Sequence, residues 1–148
     1  MNIYVNRISH IDKLEPFIAK ISEFYPNADK WLSKVKTELI IDNGSRILVT
    51  IVKDNVIAGM MILKNSEEKK ICSIMVDSRC RNKGLGRTML RMSFIILETK
   101  NPMITVNQNV YYNSSLRYLL EDMGFVLTDI VKDMYKVGED EYIFNGGL

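Results

Sequence analysis

The feature that most restricts the fold of this chain is residues 69–99, which read KKICSIMVDSRCRNKGLGRTMLRMSFIILET. The start of this stretch, residues 69–76, is rich in β-branched and apolar side chains, which predicts a strand. A loop containing Gly84 and Gly86 follows, and apolar residues then recur every three or four positions, which predicts a helix with a broad core-facing side. A strand, a glycine-rich turn and a helix N-terminus together favour an anion, because glycine lets backbone amides approach a phosphate closely.

Two known phosphate-binding loops do not fit this stretch. The Walker A pattern needs a glycine where this chain has Arg81 and a lysine where it has Arg87. The dinucleotide-binding fingerprint needs a third glycine at Met89, whose side chain would keep helix and strand apart. The loop is therefore a candidate phosphate site of another type. Its glycines stand among basic residues, which suits an anionic ligand: Arg79, Arg81, Lys83 and Arg87.

Length and composition indicate a single domain over residues 1–148. Hydrophobic residues make up 47% of the chain and charged residues 26%, which is ordinary for a globular protein. No apolar run approaches the roughly 20 residues that span a bilayer, so we expect no membrane association. The first seven residues lack the basic start and apolar centre of a secretory signal, so we expect a cytoplasmic location.

Cysteine, histidine and net charge exclude several other classes. Cys72 and Cys80 are too few for a disulfide scaffold and lack the paired spacing of a zinc site, so we expect two free thiols and no metal. The only histidine, His10, has no visible partner ligands and is expected at the surface or at a helix cap. A net charge of +2 without long basic blocks makes a nucleic-acid partner unlikely.

Hydrophobic patterning predicts the order of the elements. Strands are expected at 2–8, 46–53, 56–64, 69–76, 103–106 and 125–131, and helices at 14–24, 31–40, 85–97 and 113–123. The three strands from 46 to 76 are expected to form an antiparallel meander, and strands 69–76 and 103–106 to run parallel because a helix connects them. Asn113 is placed as an N-cap and Gly124 as a C′ glycine. Segments 135–137 and 141–144 are expected to pair around Gly138.

Two motifs on these elements resemble the GNAT superfamily of N-acetyltransferases. Residues 81–86, RNKGLG, fit the pyrophosphate loop Arg/Gln-x-x-Gly-x-Gly/Ala, and residues 113–125 are similar to Asn-x-x-Ala-x-x-Leu-Tyr-x-x-x-Gly-Phe, with departures at Leu116 and Leu120. The element order also looks like that of the family. The resemblance implies an α/β (α+β) fold with a central mixed, mostly antiparallel twisted sheet of six to seven strands and about four helices.

The resemblance implies an acetyl-CoA-dependent N-acetyltransferase whose acceptor is a small-molecule or protein amine. In this family the strands beside the loop splay apart, and the backbone of residues matching Ile74, Met75 and Val76 holds the pantetheine arm. A backbone NH there, assigned to Val76, would polarise the acetyl carbonyl. Asn113 matches an asparagine that contacts the pantetheine arm, although a plain helix cap fits it equally well. The pyrophosphate would be held by Arg81, Asn82, Lys83, Gly84, Leu85, Gly86, Arg87 and Thr88.

The departure at Leu120 affects catalysis, because family members commonly carry there a tyrosine that protonates the departing thiolate. Leucine cannot donate a proton. Tyr118 is the substitute we assign as catalytic, although it lies two positions away, about 200° around a helix. The alternatives left open are Tyr111, Tyr112 and Tyr135.

The general base also stays open, since the strand at 69–76 contains no glutamate. Glu38, Asp42, Asp77 and a water chain are the candidates.

Two further functions compete with the leading one. Leu120 suits an acetyl-CoA-binding sensor or regulatory domain without turnover, and an aminoacyl-tRNA acetyltransferase is a third possibility that the modest net charge disfavours. A homodimer is compatible with all three.

Overall fold

The computed structural model describes residues 1–41 and 44–146, which form one seven-stranded sheet with helices on both faces. The strand order is β1-β2-β3-β4-β5-β7-β6. The strands are β1 Asn2–Val5, β2 Arg46–Lys53, β3 Val56–Asn65, β4 Lys69–Val76, β5 Met103–Asn107, β6 Phe125–Lys132 and β7 Asp140–Gly146. The α-helices are α1 Glu15–Ser22, α2 Ala28–Ile41, α3 Leu85–Ile96, α4 Gln108–Asn113 and α5 Leu116–Asp122, and 3-10 helices span Ile8–Lys13 and Ser78–Cys80.

The sheet is antiparallel except between β4 and β5. β2, β3 and β4 form the predicted meander, and β4 runs parallel to β5 as predicted. The parallel register consists of Lys70 opposite Met103 and Ile71 opposite Ile104. Beyond Ile71 the two strands separate, so a mixed, mostly antiparallel sheet contains a gap near its middle.

A bulge in β4 lies where this gap begins. Ile62 of β3 is opposite Ser73 and Leu63 is opposite Ile71, which leaves Cys72 as an extra residue in β4. A bulge bends its strand and increases the local twist. It therefore turns the second half of β4 away from β5.

The two faces of the sheet carry different cores. On one face α3, α4 and α5 pack over β2 to β7 through a core that includes Met61, Ile71, Met89, Leu90, Ile104, Leu120, Met123, Phe125, Tyr142 and Phe144. On the other face α1 and α2 pack over β2, β3 and β4 through a core that includes Leu14, Phe17, Ile18, Val35, Leu39, Leu48, Met60 and Ile62. The core on the α3 face contains residues from strands on both sides of the gap. The core on the α1 face contains residues from strands on one side of the gap.

Several sequence predictions at element ends are wrong. β1 ends at Val5, because Asn6 takes a positive φ of 57° and a 3-10 helix begins at Ile8. His10 lies in that helix, where it is buried and its Nδ1 is 2.6 Å from the Thr50 hydroxyl oxygen, so it is not a surface residue.

The predicted helix at 113–123 begins later, as α5 at Leu116, and a separate helix, α4 at Gln108–Asn113, was not predicted. Asn113 is the last residue of α4, and Ser115 stands at the N-cap position of α5, so Asn113 is not an N-cap. The structure instead shows Asn107 capping α4, with its side-chain oxygen accepting from the Asn109 NH at 2.8 Å. Gly124 follows α5 with a φ of 89°, as a C′ glycine does.

The C-terminal pairing also differs from expectation. Residues 135–137 lie in the turn between β6 and β7, where Gly138 has a φ of 84°. β7 pairs with β5 and β6 instead. No helix within the described residues is long and apolar enough to cross a membrane.

Candidate active site

We call the gap between residues 72–76 of β4 and residues 105–107 of β5 the cleft. The parallel pairing ends at Ile71 and Ile104, so the facing edges of both strands lack sheet partners beyond those residues. Unpaired strand edges present backbone NH and CO groups that an extended ligand can bind. The cleft is therefore suited to a linear chain carrying amide groups.

The register of β3 and β4 decides which backbone groups face the cleft. The Asp77 NH donates to the Ala58 carbonyl at 2.8 Å, so these residues form a hydrogen-bonded pair. Because antiparallel pairs alternate, the polar backbone groups of Val76 and Ile74 face away from β3 towards the cleft. Those of Met75 are directed at β3. Two of the three residues predicted to bind the pantetheine arm thus present their backbone to the cleft.

The basic loop reaches the start of α3 through left-handed backbone conformations. Asn82 has a φ of 63°, and Gly84, at the N-cap of α3, has a φ of 77° with open space where a Cβ would lie. Leu85 is buried in the core, and the Thr88 hydroxyl donates to the Gly84 carbonyl at 3.0 Å. These contacts hold the first turn of α3 with its amide groups directed into the loop.

Gly86 lies against α5. A Cβ at Gly86 would stand 3.0 Å from Cδ2 of Leu119, so a larger residue would push α5 away from α3. The N-terminus of α3 and the side of α5 therefore meet at this glycine. The two helices lie on the same face of the sheet.

The basic residues of the loop differ in how free they are. Arg79 pairs with Asp77 at 3.0 Å, and this pair lowers the pKa of Asp77 to about 2. Arg87 pairs with Asp122 on α5. Two of the four basic residues that the sequence places around the glycines, Arg79 and Arg87, are therefore already in ion pairs with carboxylates of the protein.

The other two loop cations have no ion pair among the described residues. Arg81 directs its Nε to within 3.5 Å of the Val76 carbonyl, at the edge of the cleft. The Lys53 ammonium at the end of β2 lies near Lys83 and lowers its pKa by repulsion. An anion between these two ammonium groups would relieve that repulsion. Lys53 was not predicted, because it lies 30 residues from Lys83 in the sequence.

The structure separates the residues assigned from the second motif. Leu120 is fully buried in the core, whereas Tyr118 is 57% exposed and its hydroxyl accepts from Arg117 at 2.6 Å. Asn113 is exposed at the end of α4. The roles predicted for Tyr118 and Asn113 stay predictions.

Three tyrosines cluster on the α3 face near the end of β5. The Tyr112 and Tyr142 hydroxyls are 2.8 Å apart, and the Tyr111 ring lies 4.1 Å from the Tyr142 ring. The Tyr112 contact raises the pKa of Tyr142 to about 12. Tyr142 was missed as a proton-donor candidate, because nothing in the sequence of segment 141–144 distinguishes it from a structural strand residue.

On the opposite face, polar contacts cross from α1 and β4 to the segment 135–141. Tyr25, just after α1, donates its hydroxyl hydrogen to Glu141 Oε1 on β7 at 2.6 Å. Lys70 of β4 donates to the Tyr135 hydroxyl at 3.0 Å, and Lys136 donates to the Glu23 carbonyl at 3.2 Å. Nothing in the sequence around Tyr25 or Glu141 indicates a functional role.

Two of the predicted candidates for the general base are engaged elsewhere. Glu38 pairs with buried Arg46 at 2.9 Å, and Asp77 pairs with Arg79. Asp42 lies outside the described residues. Glu141, by contrast, is only 2% exposed, and burial raises the pKa of its carboxyl above the ordinary range.

The arrangement fits a ligand that combines phosphates with an amide-containing arm. Open space over Gly84, the amides at the start of α3, and Lys83 beside Lys53 suit phosphate groups. The cleft-facing backbone of Ile74 and Val76 suits the arm. Within the described residues no group of His, Cys, Asp and Glu side chains is placed to hold a metal ion.

Comparison with known proteins agrees with this geometry. Residues 6–125 match the model of the Acetyltransferase (GNAT) family. A search of curated protein sequences finds no significant match. Among solved structures, a protein from Desulfovibrio desulfuricans assigned to the GNAT acetyltransferases superposes with a TM-score of 0.78 at 15% identity, over 97% of this chain and 98% of that one.

Two further structures share the fold at low identity. A chimera of spermidine N-acetyltransferase SpeG from Vibrio cholerae and hSSAT gives a TM-score of 0.72 at 15% identity, over 98% of this chain and 94% of that one. An aminoglycoside 6'-N-acetyltransferase complexed with coenzyme A gives 0.71 at 11% identity, over 98% and 96% of the two chains.

Proposed function

Because this chain belongs to the GNAT acetyltransferase family, we propose that it transfers the acetyl group of acetyl-CoA to the amino group of a small cationic molecule. The observation that carries the proposal is the cleft, which opens beside the basic loop at the start of α3. A phosphate site that directly follows β4, and an unpaired edge on β4 itself, suit a coenzyme with a pyrophosphate and a pantetheine arm.

The residues proposed to hold acetyl-CoA follow from this geometry. Lys83, Lys53 and the amides after Gly84 would hold the phosphates, and the backbone of Ile74 and Val76 would hold the arm. When bound, acetyl-CoA supplies an activated acetyl group. The Val76 NH, directed into the cleft, would donate a hydrogen bond to the acetyl carbonyl oxygen. The acetyl group would thereby be held between β4 and β5.

The acceptor would enter from the face that carries α1 and α2. The α3 face of the cleft is closed by α4, α5 and the core beneath them. The opposite face carries Tyr25, Tyr135, Glu139 and Glu141, a set of aromatic rings and carboxylates that suits an organic ammonium ion. Two proteins of the same fold are named for acetylation of spermidine and of aminoglycosides, which are amines of this kind.

Thiol release measured with acetyl-CoA and a panel of amines tests the proposal. The panel would contain spermidine, an aminoglycoside, free lysine and a lysine-containing peptide. We expect release of coenzyme A with a polycationic small molecule and much less with the peptide. Calorimetric titration with acetyl-CoA, run in parallel, separates a failure of cofactor binding from a failure to use these acceptors.

An acetyl-CoA-binding sensor is the second candidate, and the burial of Leu120 favours it. The family commonly has a proton-donating tyrosine at this position, and here a fully buried leucine stands there. Tight acetyl-CoA binding without thiol release from any amine in the panel would support the sensor and contradict the transferase.

A further inference from the structure

We propose that Tyr25 and Glu141 form a proton relay that deprotonates the acceptor amine, with Glu141 as the final proton acceptor. The inference rests on the proposed function, because it assigns the general base of that reaction. It identifies a residue pair that connects the two halves of the sheet on the acceptor face. The sequence places the two residues 116 positions apart.

The contact crosses the cleft. Tyr25 follows α1, which packs on β2, β3 and β4, whereas Glu141 lies on β7 in the other half of the sheet. Glu141 is opposite Asn107 at the end of β5, three residues beyond the last pairing of β5 with β4, and the two side chains lie on the same face. An ammonium group bound on this face therefore meets Tyr25 before it reaches Glu141.

The burial of the two residues sets the order of the relay. Glu141 is 2% exposed, while Tyr25 is half-buried. The Tyr25 hydroxyl is 2.6 Å from Glu141 Oε1, a short distance for a hydroxyl donating to a carboxylate. The buried carboxylate thus has a hydroxyl placed between it and the acceptor side.

The surroundings of Glu141 make its carboxylate a stronger base than that of an exposed glutamate. Lys70 on β4 favours the charged carboxylate, and so do the hydrogen bonds from Tyr25 and Thr105. Glu139, at the start of the β7 segment, and burial oppose it, and burial is the largest influence. A carboxyl whose pKa lies above its ordinary range holds a proton more readily than an exposed glutamate does.

The proton step balances within the pair and the acceptor. The Tyr25 hydroxyl passes its proton to Glu141 Oε1 and takes one from the acceptor ammonium, which leaves neutral Tyr25, protonated Glu141 and a neutral amine. The amine nitrogen then bonds to the acetyl carbon while the carbon–sulfur bond breaks. The nitrogen then carries one proton more than the amide product. Loss of that proton and uptake of one proton by the thiolate give the amide and the thiol of coenzyme A.

Turnover of spermidine by matched variants tests the relay. Glu141→Gln keeps the size of the side chain and an oxygen that accepts from Tyr25, and Tyr25→Phe removes only the hydroxyl. Both should lower kcat by about 100-fold or more, as loss of general base catalysis does, with acetyl-CoA affinity unchanged. The acid limb of the wild-type pH profile of kcat/KM should disappear in Glu141→Gln. Glu67→Gln, in the exposed turn before β4, and Tyr4→Phe, on β1, are the controls, because neither residue belongs to the acceptor face, and both should keep kcat within about threefold.

A second readout needs no acceptor. In protein labelled with ¹³C at the glutamate carboxyl groups, the Glu141 signal is identified as the one missing from the spectrum of Glu141→Gln. Its titration midpoint should lie above the ordinary glutamate value of about 4.3. Because the Tyr25 hydroxyl stabilises the carboxylate, Tyr25→Phe should move that midpoint further up. An ordinary midpoint, or one unchanged in Tyr25→Phe, would overturn the relay. Thermal unfolding of each variant shows whether it is folded.

The failures of the two proposals are distinguishable. Wild-type turnover that persists in either Tyr25→Phe or Glu141→Gln overturns the relay and leaves the transferase standing. Wild-type protein that releases no thiol with any amine overturns the transferase, and the relay with it.

Discussion

Arg87 of α3 and Asp122 of α5 form an ion pair across the entrance to the phosphate loop. The Arg87 guanidinium also lies 3.4 Å from the sulfur of Met123. A carboxylate therefore holds a side chain that the sequence assigns to pyrophosphate binding. A phosphate ligand bound at the proposed site would therefore compete with Asp122 for this guanidinium.

Asp122→Asn should therefore raise the affinity for acetyl-CoA. An exposed ion pair of this kind is worth about 0.2–1 kcal/mol, so the expected gain in affinity is about 1.4- to fivefold. Calorimetric titration at low salt measures it. Glu121→Gln, which removes the same charge from the neighbouring position, is the control. An equal gain in both variants would mean that overall charge, rather than release of Arg87, is responsible.

Gly84→Asp should abolish acetyl-CoA binding while the fold persists. The carboxylate would stand beside the amides at the start of α3 and repel the pyrophosphate. Gly84→Asn is the matched control, since asparagine and aspartate both tolerate the φ of 77° and differ in charge. We expect Asn to keep a larger share of the affinity than Asp. Equal affinities for wild type and Gly84→Asp would show that no phosphate lies there.

Gly146→Ala should destabilise the protein by about 1–3 kcal/mol, the cost typical of overpacking. A Cβ at Gly146 would stand 2.5 Å from the Lys100 carbonyl oxygen and 2.9 Å from Pro102. Gly59→Ala should cost less, because its Cβ would mainly approach the flexible end of Met89, at 3.1 Å. Urea unfolding of the two variants measures the difference. The reverse ranking would contradict the packing described for the end of β7.

The regular parts of the fold follow closely from local sequence. β2 and β4 have the predicted bounds. β2 ends at Lys53 because the turn that follows it is made by Asp54 and Asn55, which tolerate positive φ. The glycine loop and α3 were likewise predictable from spacing alone. Helix α4 at Gln108–Asn113 was not, because this short segment has no helical repeat of apolar residues.

The candidate site was only half predictable. The basic loop, residues 79–87, is one continuous segment, so its residues appear together in the sequence. The acceptor face joins Tyr25, Lys70, Tyr135 and Glu141 from four separate segments. No spacing rule connects residues so far apart: Tyr135 was a candidate proton donor, and neither Tyr25 nor Glu141 was assigned a role. The register of β5 and β7, known only from the fold, brings them together.

The pH dependence of stability should differ between wild type and Glu141→Gln. Burial raises the pKa of Glu141 in the folded state, so the folded protein binds a proton more tightly than the unfolded chain. Its contribution to stability is full below about pH 4.3 and is lost as pH rises through the folded pKa. The variant should thus be more stable than wild type at pH 8 and lose that advantage near pH 4. Thermal unfolding at both pH values measures this, and a constant difference would contradict it.

Tyrosine-to-phenylalanine variants should identify the source of the thiolate's proton. If Tyr118, Tyr111, Tyr112 or Tyr135 supplies it, one of these variants should lose about 100-fold in kcat and keep its acetyl-CoA affinity. Tyr142→Phe belongs in the series, because its hydroxyl contacts that of Tyr112. Small losses in all five variants would leave solvent or the amine's own proton as the source. Leu120→Tyr tests whether the usual family donor raises turnover.

The core is continuous beneath the gap on one face of the sheet and not on the other, and this difference decides on which face we expect the two halves of the sheet to move apart. On the α3 face the two halves of the sheet share one packed interior, which resists deformation. On the other face they are joined by side-chain hydrogen bonds such as those of Tyr25 and Lys70. If the cleft widens when ligands bind, we expect it to open on this second face, where side-chain hydrogen bonds can break and re-form, with the pairing of β4 and β5 as the axis. The interior on which the stability of the fold depends would then stay packed.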